Sequence, residues 1–246
     1  MKIRTLILSD LHLGSNACNA ELINDVLNYF DAELIILNGD IIDFWKLSFS
    51  KSWKKIHNKV LSLLIKKSRK GSKVVYIIGN HDEILREYIP LNLGENILLT
   101  NQYVHETDKN KVLFIHGDGF DFVIRSNKWL AKIGTIAYEN LVLLNHYYNV
   151  VRRFLGMRYW SLSKYLKAEV KKKTVMLKKF DEVAVSYARK EGFDAICVGH
   201  IHIPEMKYID DVLYMNTGDM CETGSFIIEH KNGKFEMVTD FHSFKS

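Results

Sequence analysis

Proline is almost missing from the 246-residue chain, with 2 residues, and glycine stands at 14. Collagen-like repeats and proline-rich linkers are thereby excluded. Cysteine is equally sparse: Cys18, Cys197 and Cys221 are odd in number, far apart and free of any CxxC pair. Neither a disulfide framework nor a thiolate zinc site is expected, and a reducing compartment fits best. No stretch approaches the roughly 20 apolar residues that cross a bilayer. The longest candidate, residues 133–151, carries Glu139, Asn140, Asn145 and His146 and reads as an amphipathic or groove-lining helix. The opening MKIRTLILSD has one short apolar run that stops at Ser9-Asp10 without a small-residue cleavage site, so no secretory leader is expected. These absences point to a cytoplasmic protein, soluble or peripheral.

What the chain does have is a globular composition, 47% hydrophobic and 26% charged. Its length suits one domain over residues 1–246 that carries an insertion. Charge is unevenly placed. Residues 123–180 hold 13 Lys or Arg against 2 acids, so the net +5 of the chain leaves −6 for the other 188 residues. The same segment holds nine aromatics, among them Trp129, Tyr147, Tyr148, Phe154, Tyr159 and Trp160. Cations interleaved with aromatics suit an anionic partner with apolar parts: nucleic acid, an acidic lipid surface or a phosphorylated amphiphile. A solvated basic helix face over a buried aromatic stripe is the plainer alternative.

Short bursts of branched apolar residues recur at Ile3–Leu8, Leu34–Leu37, Val74–Ile78, Val112–Ile115 and Ala195–Val198, each the length of a strand. Between them the clearest helix is Ser52–Arg69, with Trp53, Ile56, Val60, Leu61, Leu64 and Ile65 on one face. Strand, helix, strand is the texture of a layered α/β fold. Past Val198 the chain turns to strand and turn: Val212–Met215, Ser225–Glu229 and Phe235–Thr239, the last two joined by His230-Lys231-Asn232-Gly233. Asn-Gly there signals a hairpin. From about residue 122 to 190 no strand pattern appears, and helical periodicity predicts an inserted helical segment, with Ser161–Arg189 as one long helix or two pieces.

Each of the first five bursts ends in side chains that ligate metals: Asp10-Leu11-His12, Gly39-Asp40, Gly79-Asn80-His81-Asp82, His116-Gly117-Asp118 and Gly199-His200-Ile201-His202. Loops beyond the carboxyl ends of strands form the binding crevice of α/β sheets, so these clusters are expected to converge. In an extended segment residues i and i+2 point the same way, which lets Asp10 with His12, and His200 with His202, offer paired donors. Carboxylates, imidazoles and one amide without thiolate suit Mn, Fe, Zn or Co better than Ca or Cu(I). Seven candidate ligands, Asp10, His12, Asp40, Asn80, His116, His200 and His202, exceed one site that leaves room for water. Two divalent ions, manganese foremost, are therefore expected, with a carboxylate such as Asp40 bridging them. The preceding glycines would let the backbone turn tightly beside the ions. His57, His105, His146, His230 and His242 lack this context and read as structural or surface imidazoles.

The ordered set DxH, GD, GNHD, H and GHxH resembles the calcineurin-like metallophosphoesterases from residue 3 to about 218. The resemblance implies a β-sandwich flanked by helices, with a dinuclear centre at its edge. One ion would be held by Asp10, His12, Asp40 and His202, the other by Asp40, Asn80, His116 and His200. Two dications acidify a water for attack on phosphorus and neutralise the phosphoryl oxygens. His81 would stabilise the transferring group or protonate the leaving oxygen, and Asp82 would orient its ring.

RRFLGMRYWSLSKYLK at 152–167, with Asn216-Thr217-Gly218-Asp219-Met220, is similar to the branch containing UDP-2,3-diacylglucosamine pyrophosphatases, which work through a helical lid. Members of that branch can carry Arg where this chain has His81. Substrate contacts implied are Asn80, His81 and Asp121 beside the ions, and Arg152, Arg153, Arg158, Trp160, Lys164, Lys167 and Lys171 in the insertion. The expected substrate is a phosphorylated lipid-sugar or nucleotide, with peripheral contact on the cytoplasmic face of the inner membrane and nucleic acid disfavoured. Alternatives are a nucleotide or nucleic-acid phosphodiesterase, a metal-free scaffold of the same fold, and a membrane-surface binding module.

Overall fold

Side chains alternate across a strand, so a parallel strand with apolar residues on both faces must be covered on both. The first strands meet that condition. In the computed structural model, which describes residues 1–50, 52–107, 110–121 and 180–245, β1 (Lys2–Leu8), β2 (Asp31–Asn38) and β3 (Lys73–Ile77) lie parallel and adjacent. Leu6, Leu8, Ile35, Leu37, Val74 and Tyr76 turn to one side of the sheet. Ile7, Leu34, Ile36, Val75 and Ile77 turn to the other.

Helices cover the first side. α1 (Ala20–Tyr29) buries Ala20, Ile23, Val26 and Leu27, and its N-terminus is capped by the Asn19 side chain, which accepts from Leu22 N. α3 (Lys55–Arg69) turns Val60 and Leu64 into the same core, and Lys66, Lys67 and Arg69 in its last turn complement the helix dipole. Between them stands the short α2 (Phe44–Phe49), capped by Asp43.

The second side is covered by another sheet. β4 (Leu91–Leu93), β5 (Ile97–Thr100), β11 (Phe226–Glu229) and β12 (Phe235–Val238) complete the first, in the order β12-β11-β1-β2-β3-β5-β4. The second is β6-β7-β8-β10-β9, made of β6 (Gln102–Glu106), β7 (Lys111–Ile115), β8 (Ala195–Val198), β9 (Glu205–Ile209) and β10 (Val212–Asn216). Val112, Phe114, Ala195, Cys197, Leu213 and Met215 from it meet the inner face of the first sheet. The expected α/β sandwich of two sheets with flanking helices is what the chain adopts. All eight apolar runs read as strands are strands, and the Asn232-Gly233 turn joins β11 to β12 with Gly233 at φ +82°. Four strands escape the pattern. β4 has three residues, and β6 and β9 alternate half-buried and exposed positions with charged or polar side chains among them.

The chain divides into two compact units, Met1–Asp118 with Ala184–Ser246, and Gly119–Val183. Both sheets belong to the first. In the second, the rings of Phe120 and Phe180 meet edge to face at 5.9 Å. Residues 180–190 are helical, in keeping with the end of the helix read over Ser161–Arg189. Most of the expected helical insertion, residues 122–179, lies outside the described residues. Among the described residues no helix is long and apolar enough to cross a membrane.

Glu229 ties the two sheets together. It sits on β11 opposite Thr5 of β1, is fully buried, and accepts from the Thr5 hydroxyl at 2.5 Å, from Arg4 at 3.4 Å and shares a 2.9 Å bond with His105 Nε2 of β6. His105 is thus structural, as its sequence context suggested. Burial alone would raise the Glu229 carboxyl, but the bonds from His105 and Thr5 outweigh it and hold the group below the ordinary glutamate range. A depressed acid contributes stability above its unfolded value and loses it as pH falls through its folded one. Glu229→Ala, which orphans His105 and Thr5, should cost roughly 3 kcal/mol at neutral pH. In urea melts the gap from wild type should narrow in the acid range below the ordinary glutamate value; a gap independent of pH would refute this account.

Candidate metal centre

Strands β1, β2, β3, β7 and β8 all release their chains at one end of the sandwich, and backbone hydrogen bonds stack the emerging loops. Asp10 N donates to Gly39 O and His12 N to Asp40 O, each at 3.0 Å, and Gly199 N donates to His116 O at 3.0 Å. Held this way, Asp10, His12, Asp40, His200 and His202 take φ between +46° and +68°. Only Asp210 joins them among the described non-glycine residues at positive φ. Left-handed backbone is uncommon outside glycine and commonest for Asn, Asp and His. Five such residues in one place are strain concentrated at a functional site.

The side chains they carry converge. His202 Nε2 lies 3.1 Å from Asp10 Oδ1, with His12 Nε2 at 3.9 Å from the same oxygen. On the other side His116 Nε2 lies 3.3 Å from Asp40 Oδ2, and His116 and His200 stack edge to face at 5.3 Å. Donor atoms of Asp10, His12 and His202 fall within 4.8 Å of one another, as do those of Asp40, His116 and His200. His116 Nδ1 is bonded to the Asn38 carbonyl at 2.9 Å, so the ring is locked with Nε2 facing Asp40. That nitrogen and Asn80 Oδ1 are buried and make no hydrogen bond. Two buried donors left unbonded beside two buried carboxylates are the chemistry a divalent cation satisfies. Five of the seven expected ligands, His12, Asp40, Asn80, His200 and His202, line a cleft of about 270 Å³ together with Asp43, His81, Cys221 and Glu222, and the buried Asp10 and His116 complete the two donor groups.

Electrostatics point the same way. Burial acts to raise Asp40, but the charge of His116 beside it and the His81 N–H, which donates to Asp40 Oδ1 at 2.8 Å, hold it far below the carboxylate range. Burial acts to lower His116, and Asp40 overrides it, pushing the ring up to about 10. Burial likewise opposes ionisation of Asp10, yet its pairing with His202 keeps it low. His202 is raised chiefly by its bond to Asp10, whereas His12 is lowered by burial.

The three glycines serve the site by different means. Gly39 needs its φ of +89°, and a Cβ on it would overlap the His116 ring. Gly79 and Gly199 have ordinary φ and are needed for space: a Cβ would collide with Asp40 at the first and with Asp10 and Ser9 at the second.

One expected role changes hands. Asp82 does not orient His81. Its carboxylate is fully buried and accepts from Gly79 N at 2.6 Å, Tyr76 Oη at 2.7 Å and Ile41 N at 2.8 Å, bracing the two loops that carry Asp40 and Asn80. The partner of His81 is Asp43, whose Oδ1 lies 3.0 Å from Nδ1. Asp43 also lies 3.7 Å from His12 Nδ1 and caps α2 through Lys46 N at 2.9 Å. It stands three residues after Asp40 in the same loop beyond β2, a closeness in sequence that could have flagged it. Trp45 was missed as well; its ring lies over His81 at 4.3 Å between centroids. So was Arg86, which donates to Asp118 Oδ2 at 2.6 Å and lies 3.4 Å from Gly79 O. His57 is structural as read: its Nδ1 accepts from Gly14 N and Lys54 N, both at 3.2 Å. Met220 is fully buried, and its N–H lies 3.3 Å from Asp10 O. Asp121 belongs to the second unit, and Arg152, Arg153, Arg158, Trp160, Lys164, Lys167 and Lys171 lie outside the described residues.

A two-sheet α/β body with His, Asp and Asn donors gathered beyond its strand ends defines a metal-dependent hydrolase. Residues 3–204 match the calcineurin-like phosphoesterase family, and the chain belongs to it. Over 118 residues it is 30% identical to a UDP-2,3-diacylglucosamine hydrolase of Histophilus somni, a match that covers 47% of this chain and 49% of that protein. The chain thus matches about half the length of that relative. Among solved structures it is similar to wild-type Vps29 of Entamoeba histolytica complexed with zinc, at 14% identity over 95% of this chain and 97% of that one, with a TM-score of 0.49. It is also similar to the E. coli phosphoesterase Yfce, at 12% identity over 96% and 98%, with a TM-score of 0.45.

Two variants probe this geometry. Asp43→Asn keeps a good helix cap but removes the carboxylate from His81; turnover of a chromogenic phosphodiester should fall by about 10- to 100-fold while metal content stays at the wild-type level. Gly79→Ala drives a methyl into Asp40, so bound metal, measured by mass spectrometry of the purified protein, should fall together with activity. Full metal loading of Gly79→Ala would refute the packing argument.

Proposed function

We propose that the chain hydrolyses the diphosphate of a nucleotide-linked acylated sugar, a substrate of the UDP-2,3-diacylglucosamine type, with two divalent ions, manganese foremost. The reaction class rests on one observation above the others: seven donors from five strand ends converge, with Asn80 Oδ1 and His116 Nε2 buried and unbonded among them. The substrate is supported by the partial likeness to the Histophilus somni hydrolase and by the aromatic, basic composition of residues 123–180.

Asp10, His12, Asp40 and His202 would hold one ion, and Asp40, Asn80, His116 and His200 the other. Bound there, the ions supply an acidified water and neutralise charge on the phosphoryl oxygens. The chain's own groups do the rest. Asp40, kept ionised by its neighbours, would be shared by the two sets of donors. His116 is locked by Asn38 O so that Nε2 is turned to Asp40. His81, fixed at Nδ1 by Asp43 and covered by Trp45, has Nε2 3.9 Å from Asp40 Oδ2. From there it can give a proton to the leaving oxygen or a hydrogen bond to the transferring group. Of the contacts assigned to the insertion, the cations suit the diphosphate and the aromatics the acyl chains. A lipid-linked substrate also brings the protein to a membrane surface.

Incubation with manganese and UDP-2,3-diacylglucosamine should release nucleoside monophosphate and the acylated sugar phosphate, faster than the same nucleotide sugar without acyl chains. Hydrolysis of nucleotide diesters with no turnover of the acylated substrate would replace this reading with a nucleotide phosphodiesterase. Asp40→Ala should lower turnover of either substrate by more than about 1,000-fold, because it opens both donor sets at once.

A further inference from the structure

Residues 44–81 contain ten Lys or Arg and no Asp or Glu. This run is separate from the basic segment 123–180, and its described residues lie on or beside α2, α3 and β3. Along α3, Lys55, Lys59, Ser62, Lys66 and Arg69 are all exposed. Their spacings of four, three, four and three residues set them on one face of a helix about 22 Å long. His57, Val60, Leu64 and Ser68 occupy the opposite, buried face. Among the described residues no acid pairs with Lys55, Lys59, Lys66 or Arg69.

Just before this stripe, α2 buries none of its side chains. Phe49 is 91% exposed and Trp45 46%. A phenylalanine so open to water is stabilised where an apolar phase takes it up, and a row of unneutralised cations is stabilised beside fixed anions. An anionic lipid surface offers both, with phosphates over an acyl boundary. The choice of a bilayer over another polyanion rests on the lipid-linked substrate proposed above.

We propose that α2 and the outer face of α3 form a docking surface for an anionic bilayer, with Phe49 entering the acyl boundary and the α3 cations lying over headgroup phosphates. This surface adjoins the metal centre through α2, since Trp45 of the same helix lies over His81.

Co-sedimentation of the full chain with phosphatidylcholine vesicles, with and without about 30% phosphatidylglycerol, tests it. Wild type should favour the anionic vesicles, and raising salt from about 0.1 to 0.5 M should weaken binding. The triple variant K55E/K59E/K66E should lose at least about tenfold in partitioning and Phe49→Ala about threefold, while both hydrolyse a soluble chromogenic phosphodiester at the wild-type rate. The variants retain residues 123–180, so unchanged vesicle binding would overturn the assignment by placing any docking elsewhere. Loss of duplex DNA binding in the triple variant, with vesicle binding intact, would overturn it in favour of nucleic acid. Reduced vesicle binding in a chain that never hydrolyses the acylated substrate would support docking and sink the substrate reading alone. Turnover of detergent-dispersed acylated substrate with no vesicle binding would do the reverse.

Discussion

The pairing of Asp40 with His116 is the contact on which the site and the sandwich both depend. Asp40 leaves β2 of the first sheet, and His116 leaves β7 of the second. Their side chains meet at 3.3 Å, while His116 Nδ1 reaches back to the carbonyl of Asn38. Asn38 in turn donates through its side chain to Cys197 O of β8 at 3.2 Å. The apolar layer between the sheets resists separation but does not fix their offset, because apolar contact is non-directional. Directed bonds at the strand ends supply what the core cannot. The donor set is accurate because its members also register the two sheets.

Electrostatics make the same contact costly to leave unbalanced. Asp10 and Asp40 are nearly or wholly buried, and two carboxylates removed from water need positive charge close by. The imidazoles provide it when protonated, which is why His116 and His202 are shifted upward. A cation can provide it equally, and then the imidazoles serve as neutral ligands. The centre thus tolerates its own buried charge in either condition, since proton and metal compete for the same nitrogens.

The strand ends and the donor set could be read from the sequence because both are local signals: an apolar burst, then a polar tip. The role of Asp82 could not. Asp82 follows His81 directly, and adjacency in sequence suggested contact. In the fold, its carboxylate turns back to Gly79 N, Tyr76 and Ile41 N. Asp43 takes the ring of His81 because the parallel pairing of β2 with β3 brings their loops side by side. That is a non-local fact, as is the placement of β4, β5, β6 and β9. The glycines show the same division. Gly39 was expected to serve through φ and does, whereas Gly79 and Gly199 serve through the space beside Asp40 and Asp10, which only the assembled loops reveal.

Left-handed backbone at Asp10, His12, Asp40, His200 and His202 has one further consequence. Each such residue costs about 1 kcal/mol relative to ordinary backbone, and five of them would unwind if their loops stood alone. They persist because each loop is fastened to the next: Asp10 to Gly39, His12 to Asp40, Gly199 to His116, and His200 N to Asp10 Oδ2 at 3.2 Å. That last bond closes the chain of contacts between the two sheets. A donor side chain at positive φ leaves its strand at a sharp angle, and two from one loop, such as His200 and His202, can then face different neighbours: His116 for the first and Asp10 for the second. The paired donors of DxH and GHxH were expected to share one direction as in an extended strand. Asp10 and His12 do meet in one donor group, but the left-handed turn at GHxH separates His200 from His202 and lets them join different groups.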